Sequence, residues 1–298
     1  MRYTLRQLEI FRVVADMLSY TAAAERLHLT QPAVFAQVRA LEAQTGAPLI
    51  ARIGRRLELT DTGHAVLRTA IAIKAEAARL DQALAEIRGV ISGRLDLAVV
   101  STAKYVLPRL IGPFTRDHPG IDIRLTVGNR NLLLDRLSGG LDDLYILGAV
   151  PPDMDANHVV LSENPLVLIA PPDHPLAGQT DVPLSEVARY PLLLREEGSG
   201  TRRAVEAHFA DHGLVAKARL ELGANEAVKQ AVMAGLGLAV LSRGAVQLEV
   251  DHGYLVEIAT QGFPLARKWH LAWHRQKTLT QAAIELRDRM VQARPSGT

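Results

Sequence analysis

Residues 21–42 read TAAAERLHLTQPAVFAQVRALE, two short amphipathic segments separated by a three-residue break. Thr21 is placed to cap a first helix ending near His28. Thr30 is placed to cap a second over residues 31–44, with Pro32 in the first turn, where a missing N–H costs little. Ala24 and Leu27 can then pack on Val34 and Val38 across the tight corner, the helix-turn-helix pattern. Upstream, Leu5, Leu8, Phe11 and Val14 recur at helical spacing, so residues 4–17 are expected to form the helix on which the pair rests.

The second helix of the corner turns Gln31, Ala33, Gln37 and part of Phe35 outward. A thin polar helix end suits the major groove, where Gln pairs with adenine and Arg with guanine. The following ARIGRRLELT has short strands around Gly54, a wing whose Arg52, Arg55 and Arg56 can hold phosphates. Residues 1–58 carry eight Arg, no Lys and five acidic residues, net +3 of the chain's +2, which leaves −1 for the remainder. Arg is the side chain suited to bidentate phosphate and guanine contacts. The competing readings are an αα-hairpin without a ligand and an ordinary solvated surface.

Thr60 opens a long helix to about Arg88, closed by Gly89. Along it Val66, Ala70, Ile73, Ala77, Leu80, Leu84 and Ile87 repeat with alternating gaps of four and three. The stripe packs either on its own domain or on the same helix of a second copy. A dimer also suits the reading of paired DNA half-sites.

Beyond Gly93 the pattern becomes α/β. RLDLAVV, IDIRLTV and LYILGAV alternate with a helix from Lys104 and the helix RNLLLDRLS, giving a βαβαβ half with a parallel sheet. PLVLIAP at 165–171 begins a second such half. It continues through PLLLRE, a helix over residues 201–211, RLELG, a helix over residues 226–234 and GLAVLS. KWHLAWHR and a helix over residues 279–293 end the chain. Two similar sheets form a hinged pair with a cleft.

Ligands of open α/β sheets sit beyond the carboxyl ends of the strands, where helix N-termini offer free N–H groups. Ser101 and Thr102, Gly128 and Asn129, the loop EEGSGTRR at 196–203, and Asn225 occupy such places. Ser199 and Thr201 supply hydroxyls, and Arg202 or Lys104 supplies charge, so a small anionic molecule is expected. Helix capping alone is the plain alternative for the hydroxyls.

Enzymatic chemistry finds little support. No nucleophile elbow, phosphate loop or dinucleotide turn is present, the ten His form no metal-ligand spacing, and there is no Cys. No cofactor is expected. Asp142 and Asp143 abut an apolar strand and read as a helix end. Apolar residues make up 48% and charged residues 22%, as in a folded globular chain. No signal peptide and no apolar run of about 18 residues is visible, so a cytoplasmic protein without membrane contact is expected.

Taken together, LRQLEIFRVVADMLSYTAAAERLHLTQPAV (5–34), LEAQTGAPLIAR (41–52) and LTDTG (59–63) resemble the winged helix-turn-helix of LysR-type transcriptional regulators. STAKYVLPRLIGPFTRDHPGI (101–121), VGNR (127–130), ENPLVLIAPPDHPLA (163–177), REEGSGTR (195–202) and LGANEAVKQAVMAGLGLAVLSR (222–243) resemble the CbbR branch, which regulates carbon-fixation genes and senses phosphorylated or carboxylated metabolites. The implied architecture is α/β with an N-terminal all-α winged helix-turn-helix (1–58), a linker and dimerisation helix (59–90), and a two-lobed, periplasmic-binding-protein-like effector domain. Its lobe I comprises residues 91–163 and 269–298, and its lobe II residues 164–268. The resemblance further implies a homodimer assembling to a homotetramer on double-stranded promoter DNA, with RNA polymerase as partner and DNA bending altered by the effector.

By the same resemblance the DNA-facing set is Thr30, Gln31, Pro32, Ala33, Phe35, Gln37 and Arg39 with wing residues Arg52, Arg55 and Arg56. The effector set is Ser101, Thr102, Lys104, Asn129, Ser199, Thr201, Arg202 and Asn225. The dimer set is Val66, Ile73, Ala77, Leu80, Leu84 and Ile87. Two departures stand out: Phe35 replaces the family's usual Ser, and Ala149 and Val150 follow Gly148 where the branch has Arg-Pro. Rival readings are a small-molecule binding or transport protein, an enzyme with an added dimer helix, and a regulator of another carbon-metabolism gene such as an anaplerotic carboxylase.

Overall fold

The computed structural model describes residues 3–53, 56–87 and 93–293, which divide into two compact units, Met1–Ile87 and Arg88–Thr298. The wing residues Gly54 and Arg55, and Gly89, lie outside the described residues, as do the side chains of Leu84 and Ile87.

In the first unit, α1 (Leu5–Met17) starts in a reciprocal cap: Thr4 Oγ1 accepts from Gln7 N at 3.1 Å, and Gln7 Oε1 accepts from Thr4 N at 2.9 Å. The cap of α2 (Tyr20–Leu27) is Ser19, in place of the expected Thr21. Ser19 has the extended backbone an N-cap requires, whereas Thr21 is already inside the first turn. His28 closes α2, and Thr30 Oγ1 accepts from Ala33 N at 3.4 Å to open α3 (Gln31–Thr45). Strands β1 (Ile50–Ile53) and β2 (Arg56–Leu59) pair antiparallel as the wing. Thr60 Oγ1 then accepts from Gly63 N at 2.9 Å at the start of α4 (Asp61–Ile87). A Cβ on Gly63 would stand 2.1 Å from the Leu49 carbonyl oxygen, so only glycine lets α4 approach the wing this closely.

Ile10, Phe11, Val14, Ala23, Ala24, Val34, Val38 and Leu41 form the buried core of this head, which is why the corner holds its angle. Ala70 is buried in the same core, and Val66, Leu67 and Ile73 pack against it. The first part of the α4 stripe is thus occupied by its own domain. Farther along, Leu80 is 62% exposed and Ala77 is exposed.

The second unit holds two five-stranded sheets. One is built from β3 (Gly93–Val100), β4 (Ile121–Gly128), β5 (Leu144–Leu147), β6 (Ala156–Glu163) and the late β12 (Lys268–His274), in the order β4-β3-β5-β12-β6. The other is built from β7 (Leu166–Ala170), β8 (Leu192–Arg195), β9 (Ala218–Leu222), β10 (Leu238–Ser242) and β11 (Val256–Glu257), in the order β11-β7-β10-β8-β9.

Helices cover both faces of each sheet. A 3-10 turn (Ala103–Tyr105), α5 (Leu107–Asp117) and α6 (Arg130–Ser138) belong to the first. The second carries α7 (Leu184–Val187), α8 (Gly200–Asp211), α9 (Asn225–Met233) and α10 (Arg243–Asp251), and α11 (Gln281–Gln292) returns to the first. No helix among the described residues is long and apolar enough to cross a membrane.

The sheets are mixed, not parallel throughout as the alternation suggested. Strands β3, β4 and β5 run parallel, as do β8, β9 and β10, but β12 is antiparallel to β5 and β6, and β7 is antiparallel to β10. The cause is the double crossing of the chain between sheets at Asn164 and Arg267, where Asn164 N donates to Arg267 O at 2.7 Å. A strand arriving from the other sheet enters from the opposite end. The helix expected from Lys104 is first a 3-10 turn, and α5 proper begins with Pro108 in its first turn.

Candidate functional site

Two surfaces carry functional chemistry. On the head, Gln31, Pro32, Ala33, Phe35, Gln37 and Arg39 are all exposed along one side of α3, while Val34, Val38 and Leu41 are fully buried on the other. Phe35 meets Tyr20 edge-on with centroids 5.2 Å apart, and the Arg39 guanidinium lies 5.2 Å over the Phe35 ring. Arg39 also pairs at 3.1 Å with Glu42, whose other oxygen accepts from Leu49 N at 2.8 Å and Ile50 N at 3.3 Å. Glu42 therefore fixes the wing against α3 while restraining Arg39. Arg52 and Arg56 are both exposed on the wing.

The second surface lies where the strands of both sheets end. A cavity of about 40 Å³ is bordered by Ser101 and Thr102 after β3, Asn129 and Arg130 after β4, Gly148 and Ala149 after β5, Arg195 at the end of β8, and Ser199, Gly200 and Thr201 at the start of α8. The two crossing segments add Asn164 and Arg267. Thr102, Ser199 and Thr201 are at most 8% exposed, yet no hydroxyl of the three is hydrogen-bonded within the protein among the described residues. The first turn of α8 adds free N–H groups and the positive end of a helix dipole. Gly198 takes φ +82°, and a Cβ there would lie 2.9 Å from Asn131 Nδ2, so glycine is needed for the loop to pass the first sheet.

Arg195, 3% exposed, is the cation at the centre. It donates to Ser101 Oγ at 3.2 Å, to the Gly223 carbonyl at 3.4 Å and to the Asn225 amide oxygen, and it pairs with Glu196 at 2.8 Å. Arg130 and Arg267 have no ion pair with a carboxylate among the described residues. Burial, and then the charges of Arg203 and Arg267, push the Arg130 guanidinium below its usual value; burial and Arg203 do the same to Arg267. Such groups are stabilised by an incoming anion.

Five of the eight residues expected at the cleft, Ser101, Thr102, Asn129, Ser199 and Thr201, border this cavity. Asn225 is 1% exposed behind it, holding Arg195 and the Ser101 carbonyl. Lys104 and Arg202 do not border it, because acidic neighbours claim them. Lys104 pairs with Glu226 at 2.8 Å, and Arg202 pairs with Glu206 at 2.7 Å and with Glu221. Burial works to raise Glu226, but hydrogen bonds from Lys104 and Tyr105 hold it down at about 2.

The LysR substrate binding domain family matches residues 88–295, and the bacterial regulatory helix-turn-helix protein, lysR family, matches residues 5–64. The chain belongs to the LysR family of DNA-binding transcriptional regulators. Among the LysR proteins it resembles, the transcriptional activator CmpR of Synechocystis is 42% identical over 94% of this chain and 92% of its own. A RuBisCO operon transcriptional regulator of Allochromatium vinosum is 42% identical over 97% of this chain and 95% of its own. The solved regulatory domain of Synechocystis CcmR in complex with 2-PG is 38% identical, with a TM-score of 0.65 over 68% of this chain and 99% of that one.

Sequence reasoning on this LysR chain passed over Arg130, Asn164, Arg195 and Arg267, all at the cavity. Arg195 ends β8 and Arg130 opens α6 two residues past β4, inside the quoted REEGSGTR and VGNR, and that position was the available signal. Arg267 had no local signal, since only the second crossing between sheets brings it in.

Proposed function

We propose that this LysR regulator controls carbon-fixation genes by sensing a small phosphorylated or carboxylated anion in the cavity between its two sheets. The carrying observation is the cavity itself: three unspent hydroxyls and three guanidinium groups converge with a helix N-terminus on one small space. The relatives support the choice of target and ligand, a RuBisCO operon regulator on one side and a domain holding 2-PG (2-phosphoglycolate) on the other. Ser101, Thr102, Asn129, Ser199 and Thr201 bind the anion with Arg130, Arg195 and Arg267, and Asn225 positions Arg195. Lys104 and Arg202 serve structural ion pairs. Ala149 brings no charge to the cavity, but Arg267 Nη2 lies 3.9 Å from where a Cβ on Gly148 would be and supplies a cation on that side.

In this reading residues 1–58 grip promoter DNA in the cytoplasm through Thr30, Gln31, Pro32, Ala33, Phe35, Gln37 and Arg39 on the helix and Arg52, Arg55 and Arg56 on the wing. The α4 stripe from Ala77 through Leu80 to Leu84 and Ile87 pairs two copies, with Val66 and Ile73 bracing it on the head. Two such dimers form the tetramer that meets RNA polymerase. Residues 91–163 and 269–298 make one lobe and 164–268 the other.

The test is the response of a promoter complex to 2-PG, followed by fluorescence anisotropy and footprinting. Thr102→Val should abolish the response and leave operator affinity unchanged within about twofold, because the head is untouched. A normal response in that variant would remove the cavity from the sensing role.

A further inference from the structure

The enclosed room in the cavity is small. About 40 Å³ is room for one compact anionic group or a few waters, so the remainder of any larger ligand lies outside it. What stands outside is positive. Arg203 is exposed on α8 three residues after Gly200, which puts the two on one flank of the helix, while Val205 and Phe209 point into the core. Gly200 borders the cavity, and a Cβ there would lie 3.7 Å from Arg130 Cδ.

Arg130, Arg203 and Arg267 therefore gather at one rim, close enough for their charges to act on each other. Among the described residues none of the three is ion-paired to a carboxylate, whereas the adjacent Arg202 is held by Glu206 and Glu221. Three mutually repelling guanidinium groups at the mouth of a site for one anion are complementary to a second anion.

The geometry points to Arg203, with Arg130 and Arg267, as an outer subsite that selects effectors bearing two anionic groups over effectors bearing one. This rests on the cavity reading proposed above. One anionic end enters among Thr102, Ser199 and Thr201, and the other stays at the rim, where planar guanidinium forks suit a carboxylate or a phosphate equally.

Calorimetric titration of the full chain at fixed ionic strength with two probes, methyl phosphate and 2-PG, tests the subsite. Wild type should prefer 2-PG. Arg203→Gln should weaken 2-PG by about tenfold, the effect of one charge-assisted contact, and leave methyl phosphate within about twofold. Arg202→Gln removes the same charge one position away and should change neither. Equal weakening of both probes by Arg203→Gln, or no change in 2-PG, overturns the subsite. Thr102→Val separates the two readings: if it weakens both probes while Arg203→Gln changes neither, the cavity stands and the subsite falls. A wild-type chain that binds neither probe overturns both.

Discussion

Arg195→Met removes the most deeply set charge of the cavity at nearly constant side-chain length, and its cost can be worked from the contacts. The guanidinium is 3% exposed and loses Ser101, Gly223, Asn225 and Glu196 together. Removing one member of a buried pair costs about 3–5 kcal/mol because the other charge is left behind. The Glu196 side chain is 21% exposed and keeps some water, so the lower figure applies, about 3 kcal/mol. For a unit of this size each kcal/mol is worth about 2–4 °C, giving a melting temperature about 6–12 °C lower.

The assay is unambiguous about which unit melts, since both tryptophans, Trp269 and Trp273, lie on β12 and their fluorescence reports the second unit alone. Arg195→Met with Glu196→Gln should recover part of the loss, because the stranded carboxylate is gone. A shift under about 2 °C, or a double variant that melts below the single one, would refute the assignment of Arg195 as the charge that holds the strand ends of both sheets.

Phe35→Ser releases Arg39 from the ring and should raise affinity for duplex in anisotropy titrations, while the lost edge contact with Tyr20 lowers head stability by about 0.5–1.5 kcal/mol; weaker DNA binding would contradict this. Glu9 is held at about 2, chiefly by the hydrogen bond from Arg12, below its usual 4.5. Its stabilising contribution is complete above pH 4.5 and disappears as pH falls through about 2, so the melting penalty of Glu9→Gln should shrink across that window. A penalty that is flat with pH would remove the Arg12 and Lys74 pairs from the account. Leu80→Asp should dissociate the dimer in sedimentation runs, because Leu80 is free of the head core; an unchanged mass would sink the α4 seam.

The legible parts of the sequence were those whose physics is local. Apolar spacing and caps gave the corner in the head, and only the cap of α2 moved, from one hydroxyl to another two residues earlier. Strand β6 was invisible because it carries little apolar alternation: of ANHVVLSE, only Ala156 and Leu161 are buried. Helix α10 escaped because it starts with no loop after β10, Ser242 being both strand end and cap residue. Strand direction is written in the path of the chain and not in residue type. Charges were hardest of all. Lys104 and Arg202 look like free cations until elements 122 and 19 residues away bring Glu226 and Glu221 to them. Arg267 looks like a linker residue until the second crossing carries it to the cavity.

That cavity shares its backbone with the ties that hold the two sheets together. The loop after β3 gives Ser101 to Arg195 and Asn225 and Thr102 to the cavity, then Lys104 and Tyr105 to Glu226. A ligand on Thr102 and Arg195 therefore acts on the segment that bridges the sheets, and it shifts their arrangement only by the difference between its affinities for the alternatives. One charge-assisted hydrogen bond made in one arrangement and not the other, about 1.5–3 kcal/mol, changes the ratio by roughly ten- to a hundredfold. Tight binding without that difference moves nothing. An anion that fills the cavity without reaching Arg203 forgoes the outermost of these contacts, so it is expected to shift the promoter complex less than 2-PG does.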